Sequence, residues 1–395
     1  ETALSRQDLR RQLAESAALA VLRDLTGKDL CLAAESDRQR ENEGEESALN
    51  GRLAGESLLG AVTDRVGDRF SASKLQAYLQ CPFRFLYTRI WGQEEDNPAG
   101  EDLDGLTKGS LLHRVLERFV RSHLGERGSR DKYDLWEEEL RQVFDECCRE
   151  MENKGEVYDG PFWRFDRNIL WHYLQNWLAE ELRLAEDWEF VPWAVEEDFS
   201  AGGKGHFTLR TGLGPVRIQG RIDRIDRNPR TGAYFVTDYK SSSGSAYSPK
   251  DMLNPDMQIP LYLLAVQKLH PGETVVGGGY YSLHDSSKDP AKRLKSFVFA
   301  NGQASLPFSS EGVSQEDLDM LVGDAGAERS ENGYLRDTAM LELYVAKRVE
   351  QMLRQMGEGA FMPTPSDGCD RFCPAADVCR HSVLSREEDE EDDNG

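Results

Sequence analysis

The chain lacks several features that would assign it to a common class of protein. Its 395 residues contain no apolar run near the roughly 20 residues of a membrane helix, and no basic N-terminal region followed by an apolar stretch. We therefore predict neither a membrane segment nor a signal peptide. The two Gly-Lys pairs, at 27–28 and 203–204, lack the rest of a phosphate-binding loop, which argues against a nucleotide-binding motor. The chain begins at Glu1 without an initiator Met, which suggests a fragment or a processed chain.

Basic residues are few relative to acidic ones. The chain has 48 Lys and Arg against 71 Asp and Glu, a formal net charge of -23. Part of this excess is a run of acids at 387–393, which is typical of a solvated, disordered tail. Because duplex binding depends largely on neutralising phosphates, the charge argues against a simple nucleic-acid binder. DNA affinity would have to come from a local basic groove, a metal ion or a partner chain, and binding by the chain alone should be weak and strongly salt-dependent.

Cysteine is also scarce, with seven residues in the chain. An odd count without a signal peptide indicates a reducing compartment, and we predict a cytoplasmic location and no disulfide scaffold. Three of the seven, Cys369, Cys373 and Cys379, lie within eleven residues. Cysteines spaced by Pro and charged residues are poor core formers, so this group calls for a metal-binding explanation.

Hydrophobic residues make up 39% of the chain, enough for a packed core. The apolar spacing predicts helices at 5–25, 73–91, 108–123, 134–152, 163–185, 256–269 and 335–357. Shorter alternating runs predict strands at 207–210, 216–223, 234–240, 275–283 and 294–300, with a turn at 228–232. The order of these elements predicts a mixed α/β protein.

Two carboxylates and a lysine stand on consecutive predicted strands. They are Asp223, in the segment 220–226, and the Asp238-Tyr-Lys240 triplet that follows the turn. Alternation along a strand places Asp238 and Lys240 on one face, and strand pairing would bring Asp223 to them. Two carboxylates form a hard oxygen site suited to Mg²⁺ or Mn²⁺, and a lysine beside them can orient water or stabilise charge. Either motif alone would more often be an exposed strand edge.

These residues resemble the active-site hairpin of the PD-(D/E)XK nuclease superfamily, in its RecB/AddB branch. The segment 109–117 resembles the branch's upstream helix, where a histidine, here His113, is a metal ligand. Gln258 and Tyr262 match its Gln-x-x-x-Tyr pattern. The resemblance implies that Asp223, Asp238, Lys240, Gln258 and Tyr262 are catalytic, and that His113, Asp223 and Asp238 bind the metal. His113 as a packing residue, and Gln258 with Tyr262 as a structural pair one helical turn apart, are the alternatives.

Further charged residues flank the proposed site. Arg221 and Arg224 are candidate DNA contacts, and the alternative is that they neutralise the neighbouring acids. Arg221 and Asp223 would share a strand face. Glu196 and Glu197 could supply a further acidic group, although such pairs are usually solvated surface.

The cysteines carry a second resemblance to the AddB branch. Cys81 lies in a pattern of the branch that runs from Ser71 through Leu75 and Tyr78 to Cys81-Pro-Phe83. In that branch an upstream cysteine and three downstream cysteines bind a 4Fe–4S cluster, which implies Cys81, Cys369, Cys373 and Cys379 here. Three residues, not the branch's usual two, separate the first downstream pair. Zn²⁺ therefore remains an alternative, and either group would act as a structural staple between the two ends of the chain.

The resemblance implies a PD-(D/E)XK core, with a central mixed sheet flanked by helices, a helical N-terminal part and a C-terminal cysteine cluster. It predicts a nuclease domain at 70–382, preceded by a helical segment and linker at 1–69 and followed by a disordered tail at 383–395. The implied function is a metal-dependent DNA exonuclease within a helicase–nuclease complex for double-strand break repair. Its expected partners are single-stranded DNA ends and a helicase-type partner protein or preceding helicase-like domain. The alternatives are a free-standing CRISPR-associated single-strand nuclease and a catalytically silent iron–sulfur scaffold.

Overall fold

The structure is a computed structural model and describes residues 51–93, 105–200, 205, 207–241, 256–284, 294–299, 337–364, 369, 373–376, 378 and 379. The predicted helix at 5–25 and the acidic tail lie outside these residues. The chain divides into two compact units, one formed by residues 1–96 with 348–395 and the other by residues 97–347. In the described part, no helix is both long enough and apolar enough to cross a membrane.

The first unit is built mainly of helices. Helix α1 (Glu56–Val66) precedes the short strand β1 (Arg69–Phe70), helix α2 (Ala72–Gln80), helix α3 (Pro82–Phe85) and a π-helical turn (Leu86–Ile90). The predicted helix to residue 91 is therefore interrupted at Cys81. Its φ and ψ of −161° and 109° are extended, because a residue before proline is disfavoured in the helical region.

Contacts within this unit join its N-terminal and C-terminal segments. The Leu53 N–H donates to the Gly359 carbonyl at 2.8 Å, and the Phe361 N–H donates to the Gly51 carbonyl at 3.0 Å. The buried Tyr78 hydroxyl donates to the Ala360 carbonyl at 2.6 Å. Residues before position 100 and after position 350 thus form one packed body.

The second unit contains a helical layer and a mixed sheet. Helix α4 (Gly105–Ser122), helix α5 (Tyr133–Lys154) and helix α6 (Pro161–Asp187) confirm the three helices predicted in this region. Helix α7 (Gln258–Leu269) follows the active-site strands, and helix α8 (Thr338–Gly357) begins in this unit. The buried faces of α4, α5 and α6 pack against one another and the sheet, with large side chains such as Phe119, Phe144 and Trp177 at the centre.

The sheet has the strand order β2-β5-β6-β7-β8. Its strands are β2 (Val191–Asp198), β5 (Arg221–Arg227), β6 (Tyr234–Lys240), β7 (Val275–Ser282) and β8 (Leu294–Val298). The pair β6 and β7 is parallel and the other pairs are antiparallel. Strands β3 (Phe207–Thr211) and β4 (Gly214–Ile218) form an antiparallel hairpin. The predicted mixed α/β fold is confirmed.

Two strands differ from the sequence prediction. The run predicted at 216–223 is split into β4 and β5 at positions 219 and 220, where a Cβ on Gly220 would lie 2.8 Å from the Phe199 ring. Strand β2 was not predicted, because its burial does not alternate regularly and its pairing with β5 shifts register between Pro192 and Ala194. This shift matters because β2 carries one of the site's acids.

Candidate active site

The hairpin formed by β5 and β6 brings the two predicted carboxylates together. Its turn is closed by the Asn228 side chain, which accepts hydrogen bonds from the N–H groups of Arg230 and Thr231 at 2.9 and 3.0 Å. Gly232 follows with a φ of 77°, a conformation that favours glycine. The antiparallel register pairs Arg224 with Thr237, which places Asp223 and Asp238 at the same end of the hairpin.

Lys240 and Asp238 lie on one face of β6 in direct contact. The Lys240 Nζ is 2.7 Å from Asp238 Oδ2 and donates to Gln258 Oε1 at 2.8 Å. Burial alone would lower the pKa of Lys240, but the charge and hydrogen bond of Asp238 raise it above its ordinary value. The lysine is therefore a fixed cation and not a candidate base.

Gln258, the first residue of α7, connects these two groups. Its Nε2 donates to Asp238 Oδ1 at 2.7 Å and to the Tyr262 hydroxyl at 3.1 Å, while its Oε1 accepts from Lys240. Tyr262 is buried, with 7% of its surface exposed. Gln258 and Tyr262 thus have the contacts of residues that hold Asp238 and Lys240 in place.

Asp238 is buried, with 1% of its surface exposed. Within the described residues its Oδ2 accepts no hydrogen bond of good geometry, although Lys240 lies beside it. Burial raises the pKa of Asp238 to about 7, with a further contribution from the charge of Asp223. A second cation near this oxygen would favour the ionised carboxylate.

Three further groups form a compact set of possible metal ligands. One ligand atom each from His113, Glu196 and Asp223 lies within 4.8 Å of the other two. His113 Nδ1 is 3.3 Å from Asp223 Oδ2, which also accepts a hydrogen bond from the Tyr239 N–H at 2.9 Å. The predicted ligands His113 and Asp223 are thus adjacent, whereas Asp238 is not a member of this set.

The electrostatics of the set favour a bound cation. Burial alone would lower the pKa of His113, but the hydrogen bond and charge of Asp223 raise it to about 9, with contributions from Asp238 and Glu196. Burial raises the pKa of Glu196, and the charge of Asp223 raises it further. Protons therefore compensate these close carboxylates, and a divalent cation can replace them.

Glu196 reaches this position through an irregular backbone. Its φ of 51° lies in the left-handed region, which non-glycine residues seldom adopt and which costs free energy. The sequence prediction noted the pair at 196 and 197 but could not identify which glutamate enters the site, because β2 was not recognised. The pairing of Glu197 with Ile222 in the strand register would have identified Glu196 as the neighbour of Asp223.

The two arginines predicted to contact DNA have different environments. Arg221 is exposed, lines the cleft that contains the site, and pairs with Glu196 at 3.3 Å. Arg224 is buried and pairs with Glu181 at 2.6 Å and Asp226 at 2.8 Å. Alternation along β5 turns Arg224 toward helix α6, away from Asp223. The structure gives DNA no access to Arg224, so we withdraw that candidate.

The predicted cysteine set lies within the first unit. Cys81, Cys373 and Cys379 pack around Phe83 and Ala375. Burial raises the pKa of Cys373, and nearby Cys81 and Cys369 raise it further, which indicates that these thiols lie close enough to interact. The Cys81 Sγ accepts weak hydrogen bonds from two backbone N–H groups, at 3.4 Å from Arg84 and 3.5 Å from Thr364.

The spacing of the cysteines bears on the choice between zinc and iron. Among the described residues, no three cysteine sulfurs lie within 4.8 Å of one another. One zinc ion with four thiolates at about 2.3 Å would bring the sulfurs to about 3.8 Å from each other. A 4Fe–4S cluster spaces its thiolates more widely, because each binds a different iron atom. The arrangement fits the cluster better than a single zinc ion.

Comparisons with known proteins give the same direction as the geometry. The family model of the PD-(D/E)XK nuclease superfamily matches residues 69–380. An ATP-dependent helicase/deoxyribonuclease protein of Moorella thermoacetica is 29% identical over 268 residues, which cover 64% of this chain and 23% of that protein. The exonuclease/helicase protein RexB of Streptococcus pneumoniae is 24% identical over 262 residues, 64% of this chain and 22% of that protein. The chain thus spans less than a quarter of the relatives that it matches.

Proposed function

The chain belongs to the PD-(D/E)XK nuclease superfamily, and we propose that it is a metal-dependent deoxyribonuclease with its active site at Asp223, Asp238 and Lys240. The observation that carries the proposal is the convergence of these three residues at one end of the β5–β6 hairpin. A structural ion pair would explain Lys240 and Asp238 alone. It would not explain why His113, Glu196 and Asp223 converge in the same cleft.

The donor atoms fit a hard divalent cation, Mg²⁺ or Mn²⁺. Asp223 and His113 would hold it, and we add Glu196 as a third ligand because its carboxylate lies within 4.8 Å of theirs. The buried carboxylate of Asp238 is the fourth candidate. When bound, such an ion polarises a phosphoryl oxygen and acidifies a coordinated water.

The protein side chains would supply position and charge. The Lys240 ammonium, fixed between Asp238 and Gln258, would stabilise the negative charge that develops on the phosphate in the transition state. Gln258 would keep both partners in register and is a positioning residue, as is Tyr262 behind it. Arg221 at the cleft wall is free to approach a phosphate after releasing Glu196 to the metal.

We further propose that the chain is the exonuclease module of a helicase–nuclease complex. The names of its relatives join a helicase to a deoxyribonuclease or exonuclease, and the chain matches only a fifth or so of their length. On this proposal residues 70–382 are the nuclease domain, residues 1–69 end a preceding domain, and a helicase-type partner or domain delivers a DNA end. The cytoplasmic location stays a prediction.

The cysteine set is proposed to hold a 4Fe–4S cluster as a staple, not as a redox centre. The wide spacing of Cys81, Cys369, Cys373 and Cys379 and the two N–H donors on the Cys81 sulfur support this choice. Iron and zinc analysis of protein purified without oxygen distinguishes it from the zinc alternative.

The nuclease proposal is tested by incubating the chain with end-labelled single-stranded and duplex DNA in Mg²⁺ or Mn²⁺. Hydrolysis that stops on chelation and is lost in Asp223→Ala supports the proposal. A folded, metal-binding chain that cleaves neither substrate would favour the silent-scaffold alternative. A circular substrate separates exonuclease from endonuclease activity, because only an endonuclease cleaves a strand that has no end.

We expect His113→Ala and Glu196→Gln each to weaken Mn²⁺ binding by about tenfold or more, because each removes one donor from a three-residue set. Calorimetric titration of Mn²⁺ measures the affinity, and excess Mn²⁺ should partly restore cleavage. The exposed His172, which bonds to Gln175, provides the control variant His172→Ala. Wild-type affinity in either test variant would return that residue to a structural role.

Metal affinity should also depend on pH in a defined direction. Asp238 and His113 have pKa values of about 7 and about 9, both above their ordinary values. Each must lose its proton to accept a metal, so affinity should rise from about pH 6 to about pH 9 and then level off. Mn²⁺ titrations across this range, repeated in His113→Ala, measure the effect. The variant should lose the upper part of the rise, and a flat wild-type profile would contradict the assignment.

A further inference from the structure

Helix α6 carries an apolar stripe that extends from the catalytic cleft to the surface. Its members are Phe162, Phe165, Ile169 and Tyr173, at spacings of three, four and four residues, so that they share one helix face. Ile169 and Tyr173 line the same cleft as His113 and Asp223. The stripe therefore begins inside the proposed active site and continues beyond it.

The outer part of the stripe is unusually exposed for aromatic side chains. Phe162 is 53% exposed and Phe165 is 65% exposed. Leu106, which lines the cleft from the first turn of α4, is 81% exposed. Exposed apolar groups that adjoin one another and a functional cleft mark a contact surface more often than isolated ones do.

The stripe is held in a fixed relation to the catalytic residues. Lys108 of α4 pairs with the buried Asp166 of α6 at 2.7 Å, which ties the helix that carries His113 to the middle of the stripe. At the inner end the Tyr173 ring lies 5.3 Å from the His284 ring. From Phe162 to Tyr173 the stripe is about 16 Å long, at 1.5 Å per helical residue.

We propose that this stripe is a stacking surface for the bases of a single DNA strand entering the cleft. The inference rests on the proposed nuclease function for the identity of the ligand. Unpaired bases present free π faces to aromatic rings, whereas the bases of a duplex are stacked on one another. The stripe lies in line with the catalytic cleft, so a strand stacked on it would continue toward Asp223 and Lys240.

The charges around the stripe favour stacking over phosphate contacts as the source of affinity. Arg164 pairs with Asp159 at 2.9 Å, and Arg167 pairs with Asp145 at 3.0 Å and with Glu152 at 3.2 Å. With these cations already neutralised and a net charge of -23, phosphate neutralisation is weak here. Aromatic stacking tolerates any base sequence, which suits an enzyme that digests a strand from its end.

The test compares wild type with the double variant Phe162→Ala/Phe165→Ala. Binding of a labelled oligothymidylate of about 16 nucleotides, and of a duplex of equal length, is measured by anisotropy with Ca²⁺ replacing Mg²⁺ to prevent cleavage. We expect the affinity for the single strand to fall at least about tenfold and the affinity for the duplex to change little. Phe165→Trp should retain single-strand binding. Leu135→Ala, at a residue of α5 that is 58% exposed, is the matched control.

The outcomes separate this inference from the nuclease proposal. Wild-type cleavage of a short chromogenic phosphodiester tests the active site, whereas the binding assay does not require cleavage. Equal single-strand affinity in wild type and the double variant overturns the stacking surface even if the chain is an active nuclease. An equal loss for strand and duplex also overturns it. A change in sedimentation with unchanged DNA affinity would assign the stripe to contact with a second copy of the chain.

Discussion

Replacing Lys240 with alanine is expected to lower the rate of DNA hydrolysis by about three orders of magnitude. The ammonium is fixed by Asp238 at 2.7 Å and by Gln258 at 2.8 Å, and its raised pKa keeps it charged. A preorganised cation stabilises the transition state without reorganisation, so its loss should lower kcat more than it raises KM. Single-turnover cleavage of an end-labelled strand in Mg²⁺ measures the effect directly.

Two further variants make this result interpretable. Asp238→Asn keeps the side-chain shape and should also lose most activity, because the amide cannot bind a metal or pair with Lys240. Lys268→Ala removes an exposed lysine whose partner is Glu342, and should retain wild-type activity. Circular dichroism and thermal unfolding check that each variant is folded. Near-wild-type cleavage by folded Lys240→Ala would show that the active site lies elsewhere.

The central hairpin was predictable because its signals are local. A turn containing Asn228 and Gly232 separates two alternating strands, and period-two alternation places Asp238 and Lys240 together. The same alternation should have excluded Arg224 from the site, since Asp223 and Arg224 are neighbours and so point to opposite faces. Its burial beside Glu181 depends on α6, about 40 residues earlier, which a local pattern does not show.

Glu196 and the break at Cys81 were missed for different reasons. Glu196 depends on the pairing of β2 with β5 and on a positive φ, both of which are set by tertiary contacts. The break at Cys81 had a local signal in Pro82, but the apolar spacing on both sides of it favoured one continuous helix. Non-local pairing therefore limits how completely a metal site can be predicted, whereas a proline is readable in advance.

Cys81→Ser is expected to lower the free energy of unfolding by about 5 kcal/mol, the loop-closure entropy that a cross-link between distant residues removes from the unfolded chain. Cys81 and Cys369 are about 290 residues apart in the chain. Serine leaves the local backbone intact, because Cys81 caps α3 through its side chain and serine is a preferred cap. The loss would therefore come from the cluster and not from the helix.

Denaturant unfolding without oxygen measures the effect, with iron content determined on the same samples. Cys31→Ser is the control, because Cys31 lies outside the two cysteine motifs and its loss removes no proposed ligand. Cys373→Ser should behave like Cys81→Ser, since both would supply thiolates to one cluster whose loss frees both ends of the chain. Bound iron should fall in both ligand variants and stay unchanged in Cys31→Ser. Equal unfolding midpoints for Cys81→Ser and Cys31→Ser would remove Cys81 from the staple. A colourless wild type with about one zinc per chain would replace the iron cluster while keeping the cross-link and its entropic effect.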